Sequence, residues 1–317
     1  MHLKQDRVDV RGTVTFVAIA YVPAWLLTLP MWITGQGLLW QWTPILLTAM
    51  MFMPAVATFV VNKWISPQPR LLRETGMTSP GGFRSWWTYA LIGWLVPPVA
   101  MFLALLVGDL LGTYQADWAG FSGLAEQHTT GVIGEPEPAA GTLALTQLAQ
   151  IFLLGWLNVI AAFGEEWGWR GYLLPALLPL GQPGAFVVTG VLWGLWHGPL
   201  LVLGYNYPTV PVVVSFIMMI CFCSLVGVLL GWLRLVSRSV WPPTIAHGFL
   251  TASAGLPLVF SAAGHPINNA HAGLLSWTGW IVLVSTILLL VLLGKLPAKV
   301  EQEPTGLTRG VRRLSRR

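Results

Sequence analysis

Apolar blocks about twenty residues long recur almost from one end of the 317-residue chain to the other. A transmembrane helix needs about 20 consecutive, mostly apolar residues. Eight segments qualify, at about 14–34, 43–62, 87–111, 143–168, 184–204, 210–233, 242–261 and 274–294. Between them lie turn-rich stretches such as Ser66-Pro67-Gln68-Pro69 and Gly181-Gln182-Pro183-Gly184. Only 9% of the residues are charged and 55% are hydrophobic, whereas a soluble domain carries about 25% charged residues. A chain so poor in polar surface cannot dissolve as a globule. The expected fold is all-α, a polytopic membrane bundle of about eight transmembrane helices. It forms one domain over 14–295, between a 1–13 tail and a basic 296–317 tail.

The basic residues orient the spans. With the N-terminus in the cytosol, Lys4, Arg7 and Arg11 lie inside, followed by Lys63, Arg70, Arg73 and Arg84. Arg170 then falls after the fourth span, Arg234 and Arg238 after the sixth, and the remaining seven after the eighth. That assignment accounts for all 17 Lys and Arg, and the outer loops receive none. The long outer loop near 112–140 carries Asp117, Glu126, Glu135 and Glu137 instead. Basic residues concentrate on the cytoplasmic side of membrane proteins, so both termini are expected there. The tail from Lys295 to Arg317 would lie near anionic headgroups.

The N-terminus is not expected to be a cleaved signal, because the apolar run after its mixed charges is too long. Cys221 and Cys223 read as packing residues, and their number excludes a disulfide scaffold. Many of the 18 tryptophans suit interface belts, but Trp193 and Trp196 sit mid-span beside a histidine and are expected to line a cavity. No nucleic-acid-binding face is visible among the basic residues.

Three stretches place polar groups where hydrocarbon should exclude them. Glu165 and Glu166 continue the apolar run 151–163, and Arg170 stands four residues after Glu166, on the same helical face. Glu165 points about 100° away from Glu166, so one carboxylate can pair with the arginine while the other faces something else. His197 lies in the fifth span. His247 opens the seventh, with Thr251 one turn on. Read singly, the first is also a solvated ion pair at a cytosolic helix end, and each histidine is also a packing residue. Read together, intramembrane ionisable groups tend to face one another or water.

Two imidazoles and a carboxylate are the ligand set of a catalytic zinc site with an open position. Equally, a carboxylate and a histidine can activate a water while other donors hold the oxyanion. Zn2+ held by Glu165, His197 and His247 and a metal-free site are both open. Depth is a constraint, since Glu165 is near the inner end of its span and His197 is well inside its own. Either the fourth helix continues past Arg170 toward Leu174, or the proline-rich 172–183 connection dips outside the bilayer core.

These residues resemble the CPBP intramembrane proteases, a family that includes CAAX prenyl endopeptidases and bacterial homologues linked to bacteriocin immunity. The match runs over about 150–255. Gly164-Glu165-Glu166-Trp167-Gly168-Trp169-Arg170-Gly171 is similar to the first family motif. Trp193 and His197 fit the second, and His247 fits the third, with Thr251 where asparagine is usual. The resemblance implies an eight-helix bundle around a conical, cytosol-facing cavity. It implies that Glu165 and His197 activate a water against a peptide carbonyl, and that His247 with residue 251 stabilises the oxyanion. Glu166 and Arg170 would support the first carboxylate, with Trp193 beside them. The expected function is thus an intramembrane endopeptidase acting on a hydrophobic or lipidated substrate in a bacterial cytoplasmic membrane, among membrane lipids. A silent immunity or scaffold protein on the same fold and a proton-coupled transporter are the alternatives.

Overall fold

A computed structural model describes residues 7–128 and 139–299 of the chain. Lys4, Glu135, Glu137 and the basic residues from Arg309 onward lie outside that description. Ten helices carry the architecture. They are α1 (Val10–Ile33), α2 (Thr43–Met51), α3 (Met53–Val60), α4 (Trp87–Leu110), α5 (Ala140–Gly168), α6 (Gln182–Trp196), α7 (Gly198–Val202), α8 (Val212–Ser237), α9 (Trp241–Ala252) and α10 (Trp277–Leu292). Among the described residues the only β pairing is one isolated bridge between Ala116 and Ser261. The fold is an all-α bundle, and the protein is integral to a membrane.

Five helical stretches are long and apolar enough to cross a bilayer: Val10–Ile33, Thr43–Ile65, Trp87–Leu110, Ala140–Leu180 and Val212–Ser237. The other three apolar segments are helical but short or broken. The fifth stops at Trp196 and restarts at Gly198, where Pro199 cannot donate to the preceding turn. The seventh gives way to a 3-10 turn at Ser253–Gly255 just before Pro257. The eighth is a 16-residue helix. Large side chains point outward along α5, with Leu153 72%, Leu157 64% and Ile160 61% exposed. Such a surface would drive aggregation in water and is satisfied by lipid tails.

Small residues let the helices close on one another. A Cβ on Gly190 would sit 2.5 Å from Ser224 Cα, and one on Gly194 2.6 Å from Ile220 Cα, so α6 and α8 meet nearly backbone to backbone. Gly248 does the same for α9 against Val159 of α5. This is the packing that membrane bundles use, where apolar burial alone gives helices little reason to associate. Cys223 is buried and Cys221 partly so, and both are free thiols.

The loop after α4 is partly ordered by the segment before α10. Asp117 N–H donates to the Phe260 carbonyl at 2.9 Å, and Gly123 N–H to the Ser261 carbonyl at 2.9 Å. A short helix, Ser122–His128, follows.

Candidate active site

The decisive local feature is the continuation of α5. A π turn over Trp169–Leu173, then Leu174–Leu177 and Leu178–Leu180, carry the helix to Gly181, whose φ of +80° suits a residue without a side chain. From that turn α6 runs back. Of the two routes to a common depth, the first holds: the helix passes Arg170 and Leu174. Glu165 lies as many residues before Gly181 as His197 lies after it, and the same is true of Trp169 and Trp193. Equal rise along two antiparallel helices brings such pairs to equal height.

Contacts follow from that register. Trp193 Nε1 donates to Glu165 Oε2 at 2.6 Å, and Trp169 Nε1 donates to the same oxygen at 3.3 Å. The Trp193 indole is also the wall that gathers the other groups. The Arg170 guanidinium lies over it, 4.4 Å from its centroid. The His247 ring meets it edge-on at 5.3 Å and the His197 ring tilts at 6.2 Å. One indole therefore gathers Glu165, Arg170, His197 and His247.

Glu166 takes a different set of partners. Its Oε1 accepts from Arg170 Nη1 at 2.7 Å and from His247 Nδ1 at 2.9 Å. Glu166 and Arg170 are both 0% exposed. The expectation of a solvated ion pair at a cytosolic helix end is thus corrected: the pair is internal, because α5 continues beyond it. Arg170 and Arg234, 1% exposed, are structural cations and drop out of the argument from loop charges.

Hydrogen-bond partners assign the imidazoles. His197 Nδ1 lies 2.9 Å from the Trp193 carbonyl, which can only accept, so Nδ1 carries the hydrogen. A neutral His197 then has its lone pair on Nε2. His247 Nδ1 donates to Glu166, which likewise leaves Nε2 for another partner. Thr251 is exposed, and its hydroxyl donates to the His247 carbonyl at 3.1 Å.

Exposure divides the five ionisable groups into two classes. Glu165, His197 and His247 retain 3%, 8% and 7% of their surface, while Glu166 and Arg170 retain none. Glu166 Oε2 and Arg170 Nε and Nη2 are sealed without a partner. Glu165 Oε1 and the two Nε2 atoms are not sealed in this way. The tips of Glu165, His197 and His247 thus keep a little accessible surface, and Glu166 and Arg170 are sealed.

The contacts leave Glu165 Oε1 and the Nε2 atoms of His197 and His247 uncommitted. Among the described residues no three His, Cys, Asp or Glu side chains form a metal-ligand set. His247 is held by Glu166, and Glu165 is held by two indoles.

Three contributors escaped the sequence reading. Trp169 stands one helical turn from Glu165, a spacing that periodicity could have flagged. Arg234 Nε donates to the Arg170 carbonyl at 3.1 Å. Tyr205 stacks on His197, its ring 6.3 Å away and within 8° of parallel; nothing in the sequence announces this. Trp193 and Trp196, expected to line a cavity, are both 2% exposed. Trp196 is a packing residue whose Nε1 donates to the Ala20 carbonyl at 2.9 Å.

No curated protein matches the chain. Residues 147–253 match the family described as type II CAAX prenyl endopeptidase Rce1-like. That stretch, about a third of the chain, contains Glu165, Glu166, Arg170, Trp193, His197, His247 and Thr251. Over it, the chain is similar to the Rce1-like type II CAAX prenyl endopeptidases.

Proposed function

We propose that the protein is an intramembrane endopeptidase that hydrolyses a peptide bond in a hydrophobic or lipidated substrate. The segregation of open and sealed groups carries this reading: Glu165, His197 and His247 keep accessible tips, while Glu166 and Arg170 are enclosed behind them. Hydrolysis needs a base that can reach water and a framework that water cannot loosen, and these are two different environments.

In this reading a water lies between Glu165 Oε1 and His197 Nε2. As its oxygen bonds to the carbonyl carbon, its proton passes to Glu165. The carbonyl oxygen, now carrying charge, accepts a hydrogen bond from the Nε2–H of His247, which acts as an imidazolium with its Nδ1–H on the Glu166 carboxylate. Collapse of the tetrahedral species breaks the carbon–nitrogen bond, and the proton held by Glu165 passes to the departing amine. Glu166 fixes the His247 ring, and Arg170 fixes Glu166. No step requires a metal. A prenylated C-terminal tail suits the matched family, and a bacterial cytoplasmic membrane with both termini inside suits the loop charges.

The test is cleavage of a panel of prenylated and unprenylated peptides by the protein in liposomes. Glu165→Gln and His197→Ala should each lower kcat by about 10³-fold, within the range for removing general acid–base catalysis. Activity should survive exhaustive chelation. Cleavage retained by both variants would remove the assignment, and activity lost to chelator and restored by zinc would replace the water mechanism. A silent protein on the same fold draws support from Thr251, whose hydroxyl is engaged with its own helix; it predicts no cleavage by wild type.

A further inference from the structure

We infer that Tyr205 is a further substrate-facing residue of this site, its phenol donating a hydrogen bond to the carbonyl oxygen of the scissile peptide. The inference rests on the endopeptidase reading and extends it to a residue outside the three motifs.

The break between α6 and α7 places His197 at a helix end, and the chain then folds back sharply. Gly204 at φ +89° and Asn206 at φ +62° flank Tyr205, so two left-handed residues in close succession turn the chain upon itself. Tyr205 N–H donates to the Leu200 carbonyl at 2.9 Å. The turn is pinned from outside as well. Asn269 Nδ2 donates to the Asn206 carbonyl at 2.9 Å, and the Tyr207 phenol donates to the Leu275 carbonyl at 2.9 Å. The ring of Tyr205 is thereby held against the His197 imidazole.

Tyr205, partly buried, combines this stacking with an unused hydroxyl, a trait it shares with Tyr172, whose ring stacks on Phe16 instead. The phenols of Tyr21, Tyr114 and Tyr207 donate to the carbonyls of Leu192, Pro257 and Leu275. Among the described residues Tyr205 has no such partner, and its oxygen is not a sealed, unpartnered atom either. A phenol held rigidly beside a reactive histidine, with its donor unused, is pre-organised for a ligand. His197 lies between the Tyr205 ring and the Trp193 indole that binds Glu165, which puts Tyr205 at the edge of the same cluster. The site also lacks a donor where the family has asparagine, because the Thr251 hydroxyl bonds back to its own helix. Tyr205 and His247 would then share the oxyanion.

Wild type, Glu165→Gln and Tyr205→Phe should be compared in liposomes on one peptide substrate. Tyr205→Phe keeps the stacked ring and removes only the donor. It should lower kcat on the order of 10²-fold with KM little changed, as expected for a contact made in the transition state. If wild type cleaves, Glu165→Gln does not, and Tyr205→Phe matches wild type, this inference alone falls. If wild type does not cleave, the endopeptidase reading falls and takes Tyr205 with it. Replacing Tyr205 by 3-fluorotyrosine supplies a second measurement that does not depend on how the phenylalanine variant folds. A more acidic phenol is a stronger donor, so kcat should rise several-fold. A rate indifferent to fluorination would overturn the role even if Tyr205→Phe is unstable.

Discussion

Glu165 and Glu166 are adjacent in sequence, and the fold treats them oppositely. Glu166 is enclosed with Arg170 and His247, a buried ionic cluster with every member held by another. Glu165 has one oxygen fixed by two indoles and the other left to open space. A helix separates neighbouring side chains by about 100°, so a single dipeptide can serve both a framework and a reaction centre. In the endopeptidase reading, catalytic and supporting acids need not come from different elements. They need only different faces.

The largest expected effect on stability tests the sealed half. Arg170→Met leaves Glu166 as a buried carboxylate short of its cation, which should destabilise the protein by about 3–5 kcal/mol. The double variant Glu166→Gln with Arg170→Met should recover much of that loss, since no unpaired charge remains. Thermal unfolding in detergent would measure both. Glu165→Gln should move the melting point far less while abolishing cleavage. If the three melting points coincide, the division of labour between the two carboxylates is wrong.

A smaller effect tests the open half. Thr251→Asn supplies an amide longer than the hydroxyl that bonds back to the His247 carbonyl. Cleavage in the liposome assay should rise several-fold, with the melting point nearly unchanged because the position is exposed. A fall in activity would show that the site is already complete with threonine.

The smallest effect uses a carboxylate belonging to neither half. Asp117 sits in the loop after α4, where Ser122 and the Gly120 N–H, at 2.7 Å, hold its carboxyl below the usual carboxylate range. A group whose pKa is depressed on folding contributes stability above its unfolded pKa and loses it as pH falls through the folded value. Asp117→Asn should therefore cost a little near neutral pH, and the difference should vanish in acid. A difference that persists or grows as pH falls would contradict the contacts assigned to this loop.

Much of this organisation was legible in advance. The apolar blocks identified a membrane bundle, because twenty uncharged residues have few other uses. The i, i+4 spacing paired Glu166 with Arg170, and the cost of intramembrane charge pointed to Glu165 or Glu166 with His197 and His247, the family resemblance then favouring Glu165. Tyr205 gave no signal, since its place depends on a tight turn held by Asn269 and Leu275, far along the chain. Arg170 and Arg234 were read as cytosolic by their position between spans. Nothing local revealed that α5 runs on through a π turn.

Sequence by itself determined which residues could not rest alone in hydrocarbon, because desolvation is a property of each side chain and of the apolar run around it. Only the tertiary structure decided which of them reach open space and which are sealed. That choice depends on the register of two antiparallel helices about Gly181 and on how closely glycines let their neighbours approach, and both are relations between segments that no single segment contains.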